Sequence, residues 1–126
     1  MDPVIRVENL TKSYGARPAV DHIHFEVHPG EIFGFLGPNG AGKTTTQRML
    51  TGILPPTEGI AYVLDHDMAK DPIGAKKHVG VVPEVANPYM ELSGWQNLMF
   101  MGELYGLRKR FRQERAEKLL KDFELW

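Results

Sequence analysis

Nine consecutive residues, Gly37-Pro38-Asn39-Gly40-Ala41-Gly42-Lys43-Thr44-Thr45, decide most of what this chain is able to build. They satisfy the phosphate-loop pattern G-x-x-x-x-G-K-[ST] at each defined position. The flanks agree. Glu31-Ile32-Phe33-Gly34-Phe35-Leu36 ahead of the loop predicts a short buried strand, and Thr45-Thr46-Gln47-Arg48-Met49-Leu50 after it predicts a helix opening. The alternative is a glycine-rich turn that happens to precede a helix. The fixed positions occur by accident about once in a few hundred chains of this length, and the flanking strand and helix lower that further.

The chemistry of the motif follows from its backbone. A strand-to-helix turn points successive N–H groups into a concavity, and the first helical turn adds the positive end of its dipole. Gly37, Gly40 and Gly42 let the chain wrap close to phosphate oxygens, because no Cβ intervenes and positive φ is open to them. Lys43 is placed to reach the β- and γ-phosphates, and the Thr44 hydroxyl to ligate Mg²⁺. Thr45 is expected to cap the turn or touch the α-phosphate.

Other classes of function are disfavoured by what surrounds the loop. The 126 residues suffice for one small domain with a modest core. There is no cysteine, which excludes disulfides and thiolate metal sites. Fifteen basic and sixteen acidic residues create no global field favouring nucleic acid or anionic lipid. No apolar run approaches the roughly 20 residues of a membrane span, and no signal-peptide pattern opens the chain. The expectation is a soluble cytosolic domain.

In chain order, Val4-Ile5-Arg6-Val7-Glu8-Asn9-Leu10 predicts a strand, and Thr11-Lys12-Ser13-Tyr14-Gly15 a turn carrying one aromatic. Residues 20–28 alternate: Ile23, Phe25 and Val27 on one face, His22, His24, Glu26 and His28 on the other, as in a half-buried antiparallel strand. The helix from Lys43 is expected to end by Gly52. Residues 59–64 predict another strand, Asp71-Pro72 a short helix to about Lys77, and Val79-Gly80-Val81-Val82 a strand buried on both faces. After Pro83 the pattern predicts an apolar helix over 93–105 and a second over 111–123, with Ala116, Leu119, Leu120 and Phe123 in one stripe.

Taken together, the blocks resemble the amino-terminal half of an ATP-binding-cassette (ABC) transporter ATPase domain. The resemblance is carried by Val7-Glu8-Asn9-Leu10-Thr11-Lys12-Ser13-Tyr14-Gly15, Ala19-Val20-Asp21, Pro29-Gly30-Glu31-Ile32, the phosphate loop, and the run from Leu50-Thr51-Gly52 to Glu58-Gly59. Residues 79–84 and Asn97-Leu98 most resemble drug- and multidrug-exporter ATPases. The implied fold is α/β, a P-loop NTPase fold in truncated form: an antiparallel β subdomain, the P-loop strand and helix, and the start of the helical subdomain. The implied division is a nucleotide-binding portion over 1–84 and the helical portion over 85–126.

The resemblance also implies ATP and Mg²⁺ as ligands. It casts Tyr14 as the aromatic that stacks on adenine, with Val20 adding an apolar contact; a core aromatic is the alternative for Tyr14. Glu84 stands where the family usually has a glutamine that ligates Mg²⁺, a departure that still offers a carboxylate oxygen to a hard cation. Its alternative is an exposed loop glutamate. Leu92-Ser93-Gly94-Trp95-Gln96 nearly spells the family signature L-S-G-G-Q but lies too close to the loop and replaces a glycine by Trp95, so Ser93 reads as a helix N-cap. A Walker B carboxylate, a general base and a switch histidine are not found after Glu84. His22, His24 and His28 share a strand face, where a solvated surface is favoured over a metal site.

The sequence therefore reads as a truncated domain with unpaired sheet edges and a partly uncovered Leu119/Leu120 stripe. The functional expectation is the ATP-binding subunit of an ABC transporter, binding Mg·ATP here without hydrolysing it. Its implied partners are a transmembrane permease and a second ATPase domain, with no nucleic acid, at the inner face of the cell membrane. The alternatives are a non-catalytic regulatory module that uses nucleotide as a folding ligand and a small P-loop kinase.

Overall fold

The computed structural model describes residues 1–126, which form two compact units, Met1–Val81 and Val82–Trp126. The first contains β1 (Ile5–Tyr14), β2 (Arg17–Val27), α1 (Lys43–Leu50), β3 (Glu58–Val63), β4 (His66–Asp67) and α2 (Pro72–Lys76). Its sheet has the order β2-β1-β3-β4, and every neighbouring pair is antiparallel. One face packs on α1 and α2 through Val7, Leu10, Val20, Met49, Ala61, Val63, Met68 and Ala75.

Strict alternation cannot bury both Val7 and Leu10, which are three residues apart. Asn9 resolves the conflict: it takes a left-handed conformation (φ 48°), and the register against β2 shifts between Val7 and Leu10. The extra residue turns Leu10 back to the core, as a β-bulge does. His22 is left-handed in turn (φ 47°). The buried Thr11 hydroxyl links the two irregular sites, accepting from the His22 amide at 3.0 Å and donating to the Asn9 carbonyl at 3.2 Å. β1 also runs on through residues 11–14, where a turn was expected, into a two-residue hairpin at Gly15 and Ala16. The predicted alternation of β2 is preserved from Ile23 to Val27.

α2 is five residues long and held by its cap. Pro72 occupies the first turn, and the Asp71 carboxylate accepts from the Gly74 amide at 3.4 Å and meets His66 Nδ1 at 2.8 Å. The His66 hydrogen bond first, and then the Gly74 amide, hold the Asp71 carboxyl below the usual carboxylate range.

Two predicted strands are corrected. Residues 31–36 and 79–82 are not strands. Both runs are apolar enough, but a strand exists only through hydrogen bonds to a neighbour, and no segment of these 126 residues pairs with either. Ile32, Leu36 and Val82 are nearly fully exposed as a result. The loop-side run is not loose, because Phe33 and Phe35 pack on Phe25 of β2 at ring-centroid distances of 5.1 and 5.6 Å.

The second unit is a helix pair, α3 (Gly94–Leu104) and α4 (Lys109–Asp122). Ser93 starts α3 with a capping box: its hydroxyl accepts from the Gln96 amide, and its own amide donates to Gln96 Oε1 at 2.8 Å. Asn97 anchors the preceding loop, donating to the carbonyls of Tyr89, Leu92 and Ser93 while accepting from the Tyr89 amide. On α4, Ala116 and Leu120 are buried and Leu119 is half-buried, so most of the expected stripe is covered; Phe123 remains exposed. No helix of the protein is long and apolar enough to cross a membrane.

Candidate functional site

α1 begins at Lys43 with Gly42 as its N-cap, and no side chain caps it. The first N–H groups of a helix have no intrahelical acceptor, and Thr46 is the first residue whose amide finds one, the Gly42 carbonyl at 2.9 Å. Lys43, Thr44 and Thr45 therefore hold their amides at an open helix end that carries the positive end of the dipole. No acidic side chain lies in that first turn. α3, by contrast, closes its end with its own Ser93 and Gln96, whereas α4 has no side-chain cap either; what sets α1 apart is the space its end opens onto.

The backbone around that end is shaped to come close. Gly42 sits at φ +92°, and a Cβ there would stand 2.4 Å from the Ala19 carbonyl oxygen and 3.1 Å from Val20 Cγ2. The N-terminus of α1 is thus seated directly on β2, and only glycine permits the seat. Ahead of it the loop closes with Ala41 donating to the Pro38 carbonyl at 3.1 Å.

A cavity of about 410 Å³ opens above this turn, lined by Ala19, Asn39, Gly40, Gly42, Lys43, Thr44 and Thr45. Its size falls in the range of small-molecule sites. Lys43 carries the single charge on the lining, and its ammonium donates to the Gly37 carbonyl across the loop. Open amides, one ammonium and two threonine hydroxyls suit a polyanion with an associated hard cation.

Of the residues singled out in the sequence, Asn39, Gly40, Gly42, Lys43, Thr44 and Thr45 come together on the cavity wall, while Gly37, Pro38 and Ala41 form the loop behind it. Tyr14 stands at the end of β1, 59 % exposed, with the Lys12 ammonium 5.5 Å from its ring centroid. It is not a core aromatic, and it is not on the cavity lining. Val20 is 4 % exposed and belongs to the core, while its neighbour Ala19 lines the cavity instead. Glu84 is exposed and belongs to the second unit. The three histidines of β2 do not converge on a metal site: no cluster of three or more His, Asp or Glu side chains has that geometry. His22 instead lies between Asp21 (2.6 Å) and Glu58 (3.2 Å), and the Asp21 hydrogen bond raises its pKa above the ordinary 6.5.

Two contributors were missed in the sequence. Ala19 is adjacent only in space, so nothing local marks it. Thr46 is fully buried beneath the loop and had a signal, since it stands three residues before the buried Met49 on one helical face.

A family model described as ABC transporter matches residues 20–126. The chain belongs to the ABC transporter family. Among curated ABC transporter proteins, it is 43 % identical over 124 residues to the probable multidrug ABC transporter ATP-binding protein YbhF of Escherichia coli, covering 98 % of this chain and 22 % of that one. It is 39 % identical over 117 residues to the linearmycin resistance ATP-binding protein LnrL of Bacillus subtilis, covering 93 % and 38 %. It is 37 % identical over 126 residues to the doxorubicin resistance ATP-binding protein DrrA of Mycobacterium tuberculosis, covering 98 % and 38 %. The chain thus spans about a fifth to two-fifths of the length of these relatives.

Solved structures agree on the fold. An ATP-binding subunit of an ABC transporter superposes with a TM-score of 0.83 at 29 % identity, covering 97 % of this chain and 51 % of that one. An ATP-binding cassette of an ABC transporter gives 0.78 at 26 % identity, covering 99 % and 55 %. The architecture is that of ABC ATPase domains, present here as the antiparallel sheet with its helices.

Proposed function

We propose that this chain binds Mg·ATP through residues 37–45 as the ATP-binding part of an ABC transporter. The carrying observation is the uncapped end of α1, opening onto a cavity whose one charge is the Lys43 ammonium. The amides of Lys43, Thr44 and Thr45 hold the phosphate oxygens, and the Lys43 ammonium leaves the Gly37 carbonyl for the β- and γ-phosphates. Thr44 supplies a hydroxyl to Mg²⁺, which neutralises phosphate charge when bound. Tyr14 offers an exposed ring face to the base, with Val20 supporting the adjoining backbone from the core.

The cavity lining carries no carboxylate. Phosphoryl transfer to water needs a group that orients the attacking water, so these 126 residues bind nucleotide without turning it over. In the whole transporter, ATP bound here powers export of drug-like molecules, a reading supported by relatives named for multidrug transport and for linearmycin and doxorubicin resistance. The partners are a transmembrane permease and a second ATPase domain, which place the chain at the cytoplasmic face of the membrane; no nucleic acid is involved.

The test is Mg·ATP binding to the 126-residue chain by calorimetry together with thermal shift. Saturable binding should raise the melting temperature, because a ligand that binds only the folded state stabilises it. Lys43→Ala should abolish both effects. Unchanged affinity in that variant would refute the site.

A further inference from the structure

The Gly42 carbonyl accepts two hydrogen bonds, one from the Thr46 amide at 2.9 Å and one from the Thr46 hydroxyl at 2.8 Å. Thr46 is 1 % exposed, and valine would fill the same space without burying a hydroxyl. Threonine hydroxyls commonly bond the carbonyl four residues back within a helix, as Thr51 does to Gln47 at 2.8 Å. At Thr46 the accepting carbonyl has a special position. It belongs to the left-handed N-cap glycine, a residue with wide conformational freedom and no side-chain cap to restrain it.

A trans peptide is planar, so its C=O and N–H point in opposite directions. Drawing the Gly42 carbonyl down the helix toward Thr46 therefore aims the Lys43 N–H the other way, out of the helix end and into the cavity. We propose that Thr46 is a positioning residue of the phosphate site. Its hydroxyl locks the Gly42–Lys43 peptide plane and so presents the Lys43 amide to the ligand, while the Ala19 carbonyl limits Gly42 from the other side. This rests on the reading of the cavity as a phosphate site.

The experiment compares Thr46→Val, Thr46→Ser and Thr51→Val with the wild-type chain, measuring Mg·ATP affinity and the melting temperature without nucleotide. Loss of one aligned hydrogen bond predicts about 3- to 10-fold weaker binding for T46V, with no fall in the nucleotide-free melting temperature. T46S, which keeps the hydroxyl, should stay within about twofold of wild type. T51V loses the same kind of bond away from the loop and should bind as wild type. Equal affinities of T46V and wild type overturn the proposal, and so does an equal loss in T51V. If T46V does not fold, Thr46→Ala against T46S isolates the hydroxyl, since both lack the methyl; equal affinity in that pair overturns it too. A wild-type chain that binds no Mg·ATP refutes the phosphate site itself and this proposal with it, whereas wild-type binding with an unaffected T46V refutes Thr46 alone.

Discussion

Alanine at Gly42 and alanine at Gly40 separate two reasons why a loop needs glycine. Both residues have positive φ, +92° and +84°, so both variants carry the left-handed cost of an L-residue, about 1–2 kcal/mol. Both also gain about 0.4–1 kcal/mol from a less flexible unfolded chain. Gly40→Ala should therefore destabilise by about 0–1.6 kcal/mol, because its Cβ would meet nothing within 4 Å. Gly42→Ala adds a collision. Its Cβ would lie 2.4 Å from the Ala19 carbonyl oxygen, and a strand carbonyl cannot swing aside as the end of a flexible side chain can. Relief requires β2 or the start of α1 to retreat by several tenths of an ångström, an overpacking penalty of about 1–3 kcal/mol.

The expected difference between the variants is thus about 1–3 kcal/mol, large enough for urea unfolding followed by circular dichroism. Hydrogen exchange at the Thr46 amide gives a local reading, since that group bonds the Gly42 carbonyl. Its protection should fall in Gly42→Ala and hold in Gly40→Ala. Equal destabilisation of the two variants would refute the claim that α1 is seated on β2 through Gly42. It would leave the backbone conformation as the single reason for both glycines.

Two further predictions concern charge and capping. His22 is bonded to Asp21 and Glu58, and its raised pKa means these contacts contribute stability fully below about pH 6.5, lost as pH rises through the folded-state value; an NMR titration should place its midpoint above 6.5, Asp21→Asn should lower it, and a wild-type midpoint at or below 6.5 would contradict the geometry. Ser93→Ala removes one half of the capping box of α3 and should destabilise the helix pair by about 0.5–2 kcal/mol; unchanged urea unfolding of the α3–α4 signal would mean that the cap is redundant with the Asn97 bonds.

How far the structure was legible in the sequence depends on where each element keeps its determinants. The loop ahead of α1, α1 itself, α2 and the Ser93 cap were readable because each is specified within a few residues: glycines at positive φ, a capping side chain, a proline in the first turn. Strands are specified by their neighbours. Residues 31–36 and 79–82 have the composition of buried strands, but nothing pairs with them here, and composition cannot supply a partner. The bulges at Asn9 and His22 escaped detection for a related reason. The bulge at Asn9 accompanies the burial of both Val7 and Leu10 in the core that also holds Met49 of α1, and the one at His22 the burial of Val20 beside the half-buried Ile23, packing that strict alternation along the sequence does not show. The expected turn at residues 11–14 failed because Gly15 makes the hairpin in two residues, leaving Tyr14 inside the strand.

The run Thr44-Thr45-Thr46 shows the same division within three residues. The loop motif selects Thr44 by position, and nothing in residue type separates the other two. Helical geometry does, because successive residues turn by about 100° and the core face is marked by Met49. Thr46 stands three residues before Met49 and shares its buried face, whereas Thr44 is exposed and both it and Thr45 line the cavity. One side-chain type thus serves two purposes at one helix end. On the open side its hydroxyl is available to a cation or a phosphate oxygen. On the buried side the same hydroxyl has one acceptor within reach, the carbonyl whose peptide partner is the Lys43 amide. A hydroxyl on the buried side can therefore still set the direction of a donor on the open side.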